Sequence, residues 1–138
     1  MAKTSLLELQ KAIYKRLNDD ATLTALAPIK DFVKQGTAAP YVTIGRFDVV
    51  DFKTHSSPGE EIIAFINIFT VEKKGNKQAF KILDEITRLI GDKSDLIVTG
   101  FNFIASYFDG INSLVDNDGE NRQTIARFRI QIQNSSGF

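Results

Sequence analysis

The chain has 138 residues, and its seventeen basic and seventeen acidic side chains cancel. That length suits one domain, residues 1–138, with a core that needs no staples. A zero net charge excludes a dedicated nucleic-acid binder, whose affinity comes mostly from neutralising phosphates, and favours association with other protein. With no cysteine present, disulfides, zinc–thiolate sites and cysteine nucleophiles are excluded. No leader pattern stands at the N-terminal end, and no run approaches the ~18 apolar residues of a membrane span. These features point to a soluble, globular, intracellular protein.

The first element is a helix. Ser5 and Glu8 have capping-box spacing, and Leu6, Leu9, Ile13 and Leu17 form an apolar stripe, with Glu8, Lys11, Lys15 and Arg16 facing away. Asp19 or Asp20 can cap a short second helical turn that carries Leu23 and Leu26 and stops at Pro28. "IKDFV" reads as a short strand and "KQGTAAP" as a loop. Tyr41 to Val50 is a strand rich in β-branched and aromatic residues. The tract "DFKTHSSPGE" reads as a long hairpin tip joining it to the next strand.

Glu60 to Val71, "EEIIAFINIFTV", is that next strand, and it is apolar on both faces. One face carries Ile62, Ala64, Ile66, Ile68 and Thr70. The other carries Ile63, Phe65, Asn67, Phe69 and Val71. After "EKKGNK" comes a helix over 76–90, with Ala79, Phe80, Ile82, Leu83, Ile86, Leu89 and Ile90 on its buried side, an Asp84–Arg88 pair at i,i+4 and Gly91 as its stop. A hairpin of strands 101–109 and 122–133 follows, turning through "DNDGEN". The last strand alternates: Thr124, Ala126, Phe128, Ile130 and Ile132 against Ile125, Arg127, Arg129, Gln131 and Gln133. The pattern is α+β: a mainly antiparallel β-sheet with two helices packed on one face.

His55, the only histidine, lies on the hairpin tip beside Ser56 and Ser57, and adjacent residues do not make triad geometry. Asp48, Asp51 and His55 do not converge as metal ligands. "DNDGE" lacks a calcium-loop ligand at Leu114 and an acid at Ile125. Lys73, Lys74 and Lys77 surround Gly75 at a helix start without P-loop spacing. Glu60 and Glu61 point to opposite faces. The reading is a protein with no catalytic, cofactor or metal site. A small hydrolase or nucleotide-binding enzyme, resting on His55 or on the three lysines, is the rival from another class.

The doubly apolar strand then has two explanations. Helices cover both faces of the sheet, or both helices cover one face and a partner meets the other. The polar side of the last strand, with Arg127 and Arg129, favours the second. Alternation alone leaves open which set faces the helices, and whether Phe101 and Phe103 or Ile104 and Phe108 join the uncovered one.

Four stretches carry a family resemblance: "LQKAIYKRLNDDATLTAL", "APYVTIG", "FINIFTVEKKGNKQAFKILDEI" and "SLVDNDGENRQTIARFRIQI". In them the chain resembles the tail completion, or tail terminator, proteins of long-tailed bacteriophages and prophages, over nearly its whole length. Phe52 to Gly59 matches no part of that pattern. The resemblance implies helices against an antiparallel sheet, no catalysis, and a ring, a hexamer in such proteins, at the head-proximal end of the tail tube. The implied partners are copies of itself, the tail tube protein and a head connector or head-completion protein. DNA passes through the lumen unread, and no membrane is involved. Assembly would take place in the bacterial host cytoplasm, ending at the head–tail junction of the virion. The alternative in the same class is another connector or minor tail component. A ring uses two different patches on each copy, and the candidates are Ile63, Phe65 and Phe69 on the sheet with Thr54, His55, Ser56, Ser57 and Pro58 at the hairpin tip.

Overall fold

The computed structural model describes residues 5–31, 37–53, 58–71, 75–115 and 121–134. Its elements are α1 (Leu6–Asn18), α2 (Ala21–Leu26), β1 (Ile29–Lys30), β2 (Tyr41–Lys53), β3 (Pro58–Val71), α3 (Gly75–Ile90), β4 (Phe101–Val115) and β5 (Asn121–Asn134). The strands form one sheet in the order β1-β2-β3-β5-β4, antiparallel except for the short β1–β2 pair.

The helices lie on one face of this sheet. Leu9, Ile13 and Leu17 of α1 and Ile82, Ile86 and Ile90 of α3 join a single buried cluster with Ile62, Ala64, Ile66 and Ile68 of β3 and Ala126, Phe128, Ile130 and Ile132 of β5. The odd-numbered residues of β3 from Glu61 to Val71, and those of β5 opposite them, are only half-buried. Period-two alternation places the even residues from Ile62 to Thr70 and from Thr124 to Ile132 under the helices. The sequence had left that choice open.

Several local expectations are corrected. Ser5 stands at the N-cap of α1 but makes no side-chain capping bond, and Glu8 pairs with Lys11 at 3.5 Å instead of reaching back to close the box. Asp20 rather than Asp19 caps α2, accepting the Leu23 N–H at 2.9 Å. Phe80 is exposed, on the outer side of α3. Arg88 pairs with Glu85 and Asp20, not with Asp84. The helix does end before Gly91, but the left-handed residue there is Asp92, with φ of 50°, a conformation that Asp tolerates through its short polar side chain.

The tract read as a long hairpin tip is mostly strand. β2 continues to Lys53 and β3 begins at Pro58, the two paired in register. Pro stands where a strand accepts it, at the first residue. Residues 54–57, with Thr54, His55, Ser56 and Ser57, lie outside the described residues, as do Lys73, Lys74 and residues 116–120.

Bulges also shift the phase of the outer strands. The register slips between Ile44 and Phe47 in β2, and at Ile104 and Asp109 in β4. Phe103 and Phe108, expected on opposite faces, consequently both lie on the helix side, opposite Ile132 and Phe128. Phe101 joins the edge of that core. Phe101, Phe103 and Phe108 therefore do not extend the uncovered face.

Candidate functional site

The uncovered face of the sheet is where the candidate residues Ile63, Phe65 and Phe69 stand together. Their cross-strand neighbours are fixed by the ladders. Ile63 lies opposite Asp48 on β2 and Arg129 on β5. Phe65 lies opposite Arg127, and Phe69 lies between Tyr41 and Gln123. Asn67 breaks the apolar row and donates to Thr43 Oγ1 at 3.3 Å. Pro58, the one tip candidate whose backbone is described, sits at the far end of the same strand.

Two of the apolar side chains in the row, Phe65 and Phe69, have partners on the same face. The Arg46 guanidinium lies 4.3 Å from the centre of the Phe65 ring, a cation–π contact that shields one face of the ring. The bulge that turns Arg46 there needs glycine at 45, because a Cβ would come within 2.8 Å of the Phe65 carbonyl oxygen. Tyr41 stacks on Phe69 with ring centres 4.7 Å apart. Ile63 stands opposite Arg129 in the ladder.

The charges on this face pair off. Arg46 meets Asp48 at 3.4 Å, and Arg129 meets Glu61 at 3.3 Å and Asp109 at 3.9 Å. Arg127 reaches the Asp109 carboxylate at 3.9 Å and donates to the Asp109 carbonyl at 3.1 Å. Gly110, with φ of 121°, gives Arg127 room; a Cβ there would meet its guanidinium at 2.5 Å. Three arginines thus face three carboxylates. These paired charges cancel beside apolar patches, which suits a protein surface better than an anion.

The site's arginines were visible in the sequence only as a polar alternation. Their partners were not, because Arg46, Asp48 and Asp109 sit at or beside bulges whose register shift no local pattern announces. Asp48 is engaged with Arg46 rather than with a metal set. Among the described residues there is no group of three or more His, Cys, Asp or Glu side chains able to hold a metal ion. No described helix is long and apolar enough to cross a membrane.

Comparison with known proteins agrees with this architecture. A chain from the virion of a native gene transfer agent (GTA) particle has the same fold, with a TM-score of 0.84 and 23% identity, over 96% of this chain and 99% of that one. The tail completion protein gp17 of Bacillus phage SPP1 is 26% identical over 136 residues, covering 92% of this chain and 93% of that protein. The family model for tail completion protein gp17 matches residues 11–133. That span runs from within α1 into β5, and the chain belongs to the tail completion protein gp17 family, structural proteins of the phage tail.

Proposed function

We propose that this protein acts as a single domain which closes the head-proximal end of the tail tube. Copies of it form a ring, a hexamer as the family resemblance implies. The ring stops tube elongation and presents the surface on which the head connector or head-completion protein docks. It catalyses no reaction and uses no cofactor, and DNA passes its lumen unread. Assembly takes place in the host cytoplasm.

The observation that carries this reading is the half-covered sheet. Three helices shield one face, while the other keeps Ile63, Phe65 and Phe69 in a row bordered by paired charges. A monomer gains nothing from such a surface, whereas a subunit meeting another protein buries it. The second contact patch is the end of the β2–β3 ladder beside Pro58, and the heterologous contacts of a ring need two. The pairing of Arg46, Arg127 and Arg129 with carboxylates fits a structure that DNA crosses without being held.

The test is to incubate gold-labelled protein with purified, unfinished tails and image them by negative stain. Label confined to the tube tip that faces the head, together with tubes of fixed length, is the expected result. Label on the head portal alone would show a connector component instead. Loss of assembly on changing Ile63, Phe65 and Phe69 to Ser, with the fold retained, would place the contact on the open face.

A further inference from the structure

We infer that neighbouring copies join edge to edge, with β4 of one subunit adding its free edge to the free edge of β2 in the next. The inference rests on the ring reading above and says how the ring is made. It starts from what borders the sheet. β1 pairs with β2 only at Val42 and Thr43. From Ile44 to Lys53, no strand among the described residues lies on the outer side of β2. On the opposite border, β4 is bridged only at Ser106, by Lys93, so 107–115 is likewise open among the described residues. Each edge keeps a regular stretch beyond its bulges: 47–53 on β2 and 110–115 on β4.

Open edges of this length are templates for further pairing, which single molecules usually block with proline, lysine or a very short strand. The stretch 107–115 holds neither proline nor lysine, and 44–53 holds one lysine, at its end. Strand direction then selects the partner. β2, β3, β5 and β4 alternate in direction across the sheet, so the two open edges run opposite ways. Rotation about an axis along the strands keeps those directions, and it brings β4 against the next β2 antiparallel. Pairing like edges about a twofold would leave the other edge of every copy bare. Pairing unlike edges satisfies both with one repeated contact.

Side chains agree with the backbone. Val49 on β2 and Phe108 on β4 lie on the helix side of their strands, at the two borders, and are 40% and 39% exposed. Phe47 and Ile111 beside them are only partly covered. Pairing of unlike edges sets these four on one face, where each covers the other's exposed flank. The open faces of successive copies then run on as one surface, repeating Ile63, Phe65 and Phe69 around the ring.

The cysteine-free sequence supplies the experiment. Val49→Cys is combined with Ser113→Cys in one variant and with Phe108→Cys in another, and rings formed on tube ends are treated with a short bis-maleimide. Within one copy β2 and β4 are three strand spacings apart, about 14 Å, so the short linker joins copies rather than closing on itself. The expected result is a ladder of covalent multimers from at least one double variant, with no cross-linking of any single variant. Rings without multimers in both double variants overturn the edge pairing and leave the capping function standing. Covalent dimers from Ser113→Cys alone overturn it too, since they mean like edges meet. Failure of the unmodified protein to form rings removes both. Thermal melting of each variant, within a few degrees of the parent, establishes that the fold is retained.

Discussion

Arg88 holds Asp20 at 2.7 Å, joining α3 to the start of α2 across 68 residues of sequence. The same carboxylate oxygen accepts the Leu23 N–H at 2.9 Å. One atom therefore caps a short helix and docks it on a long one, while Arg88 is itself held by Glu85 at 2.8 Å. A second such tie joins α1 to the 91–100 segment. There Arg16 meets the Asp95 carboxylate at 2.8 Å and donates to the carbonyls of Leu89 and Asp95, each at 3.3 Å.

These two ties make stability depend on acid. The Arg88 hydrogen bond, helped by the Leu23 N–H, holds the Asp20 carboxyl below its ordinary value near 3.8. The Arg16 hydrogen bond does the same for Asp95. A depressed carboxyl contributes stability that is complete above its unfolded pKa and is lost as pH falls through its folded one. Asp20→Asn and Asp95→Asn should each lower the urea midpoint near neutrality by a small amount, since both groups are open to solvent screening. The gap to the parent should narrow as pH falls below the ordinary carboxyl value near 3.8 and the parent's own carboxyls take up protons. A gap of constant size across that range would refute the linkage.

The two faces of β3 should respond oppositely to charge. Ile66 is fully buried beneath the helices, and Ile66→Ala should cost about 2–5 kcal/mol. Ile66→Glu places an unpaired carboxylate in the core and should leave no cooperative unfolding transition. Phe65→Glu puts its charge beneath Arg46 on the open face, so the native circular dichroism spectrum should persist while tube capping is lost. Unfolding by both glutamates would remove the open face as a contact surface.

Ser106 anchors β4 to the end of α3. Its buried hydroxyl donates to the Ile90 carbonyl at 2.5 Å, and its backbone N–H and carbonyl pair with Lys93. Ser106→Ala leaves that carbonyl unpaired away from water and should cost about 1–3 kcal/mol in urea unfolding. Asn102→Ala is the control: its amide donates to Gln133 at 3.4 Å on the exposed surface, and its loss should register less than about 0.5 kcal/mol.

Gly110→Ala should be destabilising in a strand, where alanine ordinarily improves on glycine. The φ of 121° and the approach of Arg127 both oppose a side chain there. The expected cost is about 1–3 kcal/mol. In Arg127→Ala the approach is gone and only the backbone strain remains, so the double variant should lose less than the sum of the single changes.

Periodicity made the architecture legible. Ile82, Ile86 and Ile90 at helical spacing, and the clean alternation from Thr124 to Ile132, placed α3 and β5 and assigned the face of β5 that is buried. Turn composition misled at 51–60: Pro58 and Gly59 read as a tip, yet a ladder is closed by backbone hydrogen bonds that polar residues make as well as apolar ones. The bulges at Gly45–Arg46, Ile104 and Asp109 escaped because one extra residue leaves composition unchanged while reversing every later side chain. Arg88–Asp20 escaped for another reason. An i,i+4 acid was available at Asp84, and nothing local indicates that tertiary packing supplies a better-placed one 68 residues away.

The strand order has a consequence for how the chain is made. β5 follows both of its neighbours in sequence yet is inserted between them. While a ribosome is still producing the segment after Val115, β3 and β4 wait with their inner borders bare, and the helices have only part of a floor to settle on. Non-local closure of this kind is slow and leaves a nascent chain prone to sticking. A stalled or truncated product lacking β5 should therefore precipitate or recruit chaperones rather than fold into a smaller version of the same domain.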